Sequence, residues 1–112
     1  MQLITAVTRP GAFEAIKEAL TLFGVRGMTV TQVARAGSGR AHVQIYRGLK
    51  YTIDTEPSLK IELIVPNDEA PDLMHVISKI ISTSDPDDGV LWNSPVDILA
   101  RVRTGEYGLD AL

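Results

Sequence analysis

Arg101 and Arg103 stand two apart in ARVRTGE, residues 100–106. On an extended segment that spacing puts both guanidiniums on the same side. Two like charges so placed need an anion or a carboxylate between them, and arginine's planar fork suits phosphate. Two readings follow: an anion clamp, or pairing with Asp97 or Glu106. A second cationic region, RAGSGRAHVQIYRGLKYTID from Arg35 to Asp54, carries Arg35, Arg40, Arg47 and Lys50. It opens with Gly37-Ser38-Gly39. A glycine-rich turn after a strand presents backbone N–H groups to phosphate; the alternative is a flexible hinge at the root of a loop. Tyr46 and Tyr51 lie among the cations, and Tyr and Arg are the residues that most often anchor interfaces. The stretch exceeds the roughly 12–15 residues beyond which a loop in a compact domain is usually functional or disordered. It therefore suits a protein-contacting arm.

Other chemistry finds little support. The chain has no cysteine, so disulfides and thiolate chemistry are absent. His42 and His75 fall on different elements and give no shared metal site. Asp85, Asp87 and Asp88 match only the start of a calcium loop and lack its downstream Glu; they read as an exposed acidic turn. No metal site and no catalytic residue is assigned. Arg9, after the first strand, would be the phosphate ligand of a small acylphosphatase-like hydrolase, but no nucleophile–base pair accompanies it. With 11 Lys and Arg against 14 Asp and Glu, the net charge is −3. Aromatic residues make up 5%. Both work against a nucleic-acid partner, which needs a basic face and exposed sheet aromatics. The opening MQLITAVTRPG is too short and polar for a signal peptide. No apolar run approaches the roughly 20 residues of a membrane span, so the expected location is the cytoplasm.

The elements that must position these groups follow from periodicity. Leu3–Thr8 reads as a strand, ended by Pro10-Gly11. Phe13, Ile16, Leu20 and Phe23 then share one helical face, and Gly24 fits a left-handed residue past the helix end. Met28–Ala34 reads as a second strand. Leu59, Ile61, Leu63 and Val65 alternate as a third. Asn67 is placed to cap a second helix carrying Leu73, Val76, Ile77, Ile80 and Ile81. Residues 82–89 form a loop, Val90–Trp92 a short strand, and Val96 to Arg103 a last alternating, extended segment. Trp92 and Tyr107 read as core and tail packing. The order βαββαβ predicts an α+β, ferredoxin-like domain with a long loop between its second and third strands. Both helices cover one sheet face, and the bare face predicts a symmetric oligomer. The 112 residues suit a single domain, 1–112.

Three segments carry a family resemblance. GMTVTQV (27–33), YRGLKY (46–51) and RVRTGE (101–106) resemble the second strand, loop signature and C-terminal signature of the PII nitrogen-regulatory signal proteins. The resemblance implies a homotrimer with nucleotide in clefts between subunits. It makes residues 37–55 an effector arm, the T-loop, and residues 104–112 a C-terminal tail. The arm would dock on an ammonium channel or other transporter, or on a metabolic enzyme, with Arg47, Tyr46 and Tyr51 as contacts and Tyr51 as a modification site. Nucleotide contacts fall at Val7, Thr29, Gly37, Gly89, Arg101 and Arg103, with Thr29 toward the adenine edge and the arginines toward phosphate.

Departures gather at the ligand site. The family's G-F-G-R-Q at the loop root is Arg35-Ala36-Gly37-Ser38-Gly39 here, and a usual lysine is Ser58. T-G-K-I-G-D-G-K is replaced by TSDPDDGV, residues 83–90, which removes both lysines and adds Asp85. An aspartate in place of a lysine repels phosphate by about 1 kcal/mol at roughly 4 Å in water, and by about 4 at an intermediate dielectric. ADP or ATP is the expected effector, with ATP–Mg and 2-oxoglutarate binding weak or absent; Arg35 and Arg40 are placed to restore part of the charge. The alternative is a related sensor for ADP, AMP or another anion serving a different transporter.

Overall fold

The computed structural model describes residues 1–37, 42–46, 49–53, 55–82 and 89–112, with the backbone alone for 42–46 and 49–53. Strand β1 (Gln2–Thr8) leads through a 3-10 turn into helix α1 (Phe13–Leu22). Strand β2 (Thr29–Ala36) follows, then β3 (His42–Tyr46), β4 (Leu49–Ile53) and the long β5 (Thr55–Val65). Helix α2 (Ala70–Ile81) and strand β6 (Gly89–Pro95) complete the order. β2, β5, β1 and β6 lie side by side in that order in one antiparallel sheet, while β3 and β4 form a separate ribbon. The ferredoxin-like α+β reading stands. The ribbon lies inside the stretch read as the long loop: β2 runs on to Ala36, and β5 begins opposite it at Thr55.

Period-two alternation sorts the sheet into two faces. Ile4 lies opposite Leu63 and Ala6 opposite Ile61, so these four side chains share one face. Ile16 and Leu20 of α1, with Leu73, Ile77 and Ile81 of α2, pack against them in a single buried cluster. On the other face, Thr5 lies in a row with Trp92, Glu62 and Thr29. Neither α1 nor α2 covers that face, and Trp92 remains 44% exposed.

Several sequence expectations need correction. Phe23 leaves the helical stripe and is 54% exposed, because α1 ends at Leu22. That end is closed as expected at Gly24, whose φ is 87°. The Gly24 amide donates to the Thr21 carbonyl and the Val25 amide to Leu20, the paired bonds of a Schellman cap. Asn67 does not cap α2. Its carboxamide oxygen accepts from Gln2 Nε2 at 3.1 Å, and Gln2 Oε1 accepts from Asn93 Nδ2 at 2.8 Å. Those bonds tie the start of β1 to both flanking segments.

The extended segment from Val96 to Arg103 is not a strand. β1 begins at Gln2, opposite Pro95, so the chain beyond finds no partner strand to pair with; the Val96 amide makes a bond to the Met1 carbonyl. Ile98 and Val102 are 75% and 98% exposed in consequence. Trp92 is also exposed rather than packed in the core of the single chain, and Tyr107, read as tail packing, is 67% exposed.

Arg9 has a structural task that its sequence position did not reveal. Its Nη1 donates to the Ile81 carbonyl at 2.9 Å, at the last residue of α2. A cation there satisfies a carbonyl without a helical partner and sits well in the helix dipole. Arg9→Ala is expected to cost about 1–2 kcal/mol, read as a lower urea midpoint. An unchanged midpoint would show that the bond contributes nothing.

Candidate functional site

A groove of about 690 Å³ lies at the β2 edge of the sheet. It is lined by Gly27, Met28 and Thr29 at the entry to β2, by Glu62 and Ile64 of β5, and by Leu99, Arg101 and the C-terminal residues. Arg26 and Glu69 also line it. Apolar walls with a few polar groups are the usual make-up of a small-molecule site. The volume falls within the roughly 300–1,000 Å³ of such clefts.

The sequence-predicted residues divide into two groups. Thr29 and Arg101 meet in this groove. Val7 and Gly89 meet elsewhere: Val7 faces Val90 across the β1–β6 ladder, and Gly89 is opposite Thr8. An added Cβ on Gly89 would lie 2.5 Å from the Val7 carbonyl oxygen, so only glycine fits there. Thr29 and Gly89 are on the two edge strands of the sheet. Three strand spacings, roughly 14 Å, separate those edges. Gly37 follows the end of β2 with φ 109°, the left-handed region that favours glycine.

Neither reading of the paired arginines survives in its simple form. Residues 102–104 form a turn, not a strand, so a spacing of two does not align the side chains. The Arg101 amide donates to the Glu106 carbonyl at 2.9 Å, and the Arg101 carbonyl accepts from the Gly105 amide at 2.8 Å. The Arg101 guanidinium reaches the Ala111 carbonyl through Nη2 at 2.8 Å. Glu106 accepts from the Thr104 hydroxyl at 2.7 Å. Among the described residues neither arginine is ion-paired with Asp97 or Glu106; Lys60 and Glu62, at 3.9 Å, are the pair formed there. Arg103 does not line the groove.

Ser58 shows what happened at one departure from the family pattern. It is 2% exposed, and its hydroxyl accepts from Arg35 Nε at 2.6 Å. Val33 pairs with Ser58 and Arg35 with Glu56. Arg35 and Ser58 are therefore diagonal neighbours on one face of the β2–β5 ladder, within reach of a long side chain. The bare sequence gave a hint in Ser58, a small polar residue at the head of an apolar alternation. Gly27, Met28 and Glu62, by contrast, enter the site only through the fold.

Tyr46 lies opposite Leu49 and Tyr51 opposite Gln44 in the β3–β4 ribbon. Their side chains, with all of Arg40, Arg47 and the aspartates at 85, 87 and 88, lie outside the described residues. Among the described residues no three His, Cys, Asp or Glu side chains gather as a metal site. No described helix is long and apolar enough to cross a membrane.

Comparison with known proteins agrees with this architecture. The sequence profile of the family described as Nitrogen regulatory protein P-II matches residues 1–106. The chain is 35% identical to Nitrogen regulatory protein P-II of Rhizobium meliloti (strain 1021) over 112 residues, all of both chains. It is 37% identical to the protein of the same description from Cereibacter sphaeroides, again over the whole of both chains. Nitrogen regulatory protein GlnK of Escherichia coli (strain K12) is 32% identical over the same full length. A full-length match to regulatory proteins, on a sheet whose groove gathers glycine, threonine and arginine, makes this chain a member of the nitrogen regulatory protein P-II family, whose members are signal-transduction proteins.

Proposed function

We propose that the chain works as a homotrimer in the cytoplasm, taking an adenine nucleotide between neighbouring copies and docking its 37–55 arm on a partner. The observation that carries this reading is the division of the candidate residues between the two edges of the sheet. Thr29 and Arg101 stand at one edge, Val7 and Gly89 toward the other. A neighbouring copy that set its Val7–Gly89 edge against the groove would complete one site from two chains. The bare sheet face, with Trp92 and Val90 exposed on it, supports the same association. Isolated apolar residues on a sheet face are ordinary, but a row next to a half-built site suits a second copy.

The ligand follows from charge. ADP asks less of the phosphate subsite than ATP, and the lysines the family carries at positions 85 and 90 are Asp85 and Val90 here. Arg35, lying against Ser58, returns some positive charge close to the root of the arm. Arg103 joins the phosphate side once a neighbour closes the cleft. The arm, through Arg47, Tyr46 and Tyr51, contacts a membrane transporter, an ammonium channel or another, or a metabolic enzyme. Tyr51 is its modification site where a modifying enzyme exists. No step in this scheme calls for a catalytic residue.

Isothermal titration tests the ligand reading. ADP is expected to bind, ATP–Mg to bind at least about tenfold more weakly, the equivalent of roughly 1.4 kcal/mol, and 2-oxoglutarate to add nothing. Cooperative micromolar binding of ATP–Mg with 2-oxoglutarate would overturn it. A monomer in sedimentation would overturn the assembly.

A further inference from the structure

We infer that Arg101 is a latch on the C-terminal tail, and that an anion drawing its guanidinium into the groove releases residues 108–112. This rests on the nucleotide reading of the groove given above. The root of the Arg101 side chain is fixed, since its own amide and carbonyl both bond across the 101–106 turn, to Glu106 and Gly105. Gly105, with φ 74°, makes that turn possible. The reach of the side chain is thus limited to what lies near the groove. One occupant is already there: the Ala111 carbonyl, 2.8 Å from Nη2.

Besides that bond, the tail is held by backbone bonds at its start, including the Ala100–Tyr107 bridge, and by the seating of Ala111. Residues Gly108–Ala111 form a 3-10 turn, in which the Leu112 amide donates to the Leu109 carbonyl at 3.2 Å. The Gly108 amide donates to the Leu99 carbonyl at 2.8 Å. A turn this short has no stability of its own. Ala111 is nevertheless 4% exposed, while Leu109 is 63% exposed and Tyr107 67%. The tail is therefore seated by Ala111, and Arg101 is bonded to that same residue. Leu109, Ala111 and Leu112 line the groove alongside Arg101.

Phosphate and the tail carbonyl compete for one guanidinium. A neutral carbonyl takes a single N–H. A phosphate takes two parallel ones and brings charge, which makes roughly twice the bond. Binding of an anion at the groove therefore withdraws Arg101 from Ala111, and the tail loses its only tie to a charged group among the described residues. Ligand state is thereby written onto a second segment, distinct from the arm.

Amide hydrogen exchange at Gly108 and Leu112 reads the latch in the full chain, with ADP and with inorganic triphosphate as the bare anion. Saturating ADP or triphosphate is expected to speed exchange at both amides about tenfold, the worth of one such hydrogen bond. Arg101→Ala should show the fast rate with no anion added. A chain ending at Gly108 should bind ADP several-fold more tightly, because the competing carbonyl is gone. Acceleration by triphosphate with no binding of ADP would keep the latch and sink the nucleotide reading. Exchange unchanged or slowed by bound anion, unchanged in Arg101→Ala, or ADP affinity unchanged on truncation would overturn the latch.

Discussion

Gly89→Ala is expected to lower the stability of the fold by about 2–3 kcal/mol, and the melting temperature by roughly 10 °C or more. The added methyl would lie 2.5 Å from the Val7 carbonyl oxygen, 3.2 Å from Ile81 Cγ2 and 3.3 Å from Thr8 Cα. Two of those atoms are backbone, so no rotamer change relieves the clash. β6 would have to move off β1, its only neighbour in the sheet. Gly11→Ala is the control: nothing lies within 4 Å of its added Cβ. It should move the melting temperature by no more than a surface substitution does, about 0.5 kcal/mol or less. Thermal unfolding of the two variants at one protein concentration decides it; equal midpoints would refute the close approach of β6 to Val7. On the assembly proposed above, the variant should also lose ligand, because the same displacement would carry away the edge that a neighbouring copy needs.

Ile77→Ala carries the second large effect. Ile77 is fully buried in the cluster that joins α2 to β1 and β5. Removing its three outer carbons leaves a cavity that a closely packed sheet and helix cannot fill, at a cost of about 3–4 kcal/mol. Val76→Ala, one residue earlier and only half-buried, should cost about 1 kcal/mol. Urea unfolding is the measurement, with midpoints compared at a fixed chain concentration since assembly adds to apparent stability. Near-equal midpoints would mean that α2 is not seated on Ile77.

The same residues show how far periodicity reaches. Ile61, Leu63 and Val65 alternate in the sequence and are buried in the structure, because a strand beside two neighbours keeps one face inward. Leu73, Ile77 and Ile81 recur at helical spacing and face that sheet. Gly24 was legible because a helix end needs a left-handed residue. The alternation from Val96 to Val102 misled for a definite reason: a strand needs a partner, and its pattern contains no record of where the neighbouring strand ends. Phe23 misled likewise, since the stripe it continues stops one residue earlier.

The site was legible only in part. Thr29 and Arg101 were named from family signatures, and the fold brings both into one groove. Glu62 and Met28 were not named, because nothing in a β-branched strand marks which residue will line a cavity. Arg9 looked like a phosphate ligand because a lone arginine after a strand has no visible partner in one dimension. Its partner, the Ile81 carbonyl, lies 72 residues away. Arg101 was harder still. Its contact is to a backbone carbonyl in the tail, and backbone groups are identical at every position.

The placement of Thr29 and Gly89 on opposite edge strands has a consequence for mixtures. In a closed ring of like copies, each junction draws one edge from each of two chains. A chain spoiled at its groove and another spoiled at its glycine edge are then not equally dead when co-assembled, since one junction in the mixed ring joins the two sound edges. In the proposed assembly, mixing two differently spoiled chains would therefore restore one working junction that neither chain forms alone.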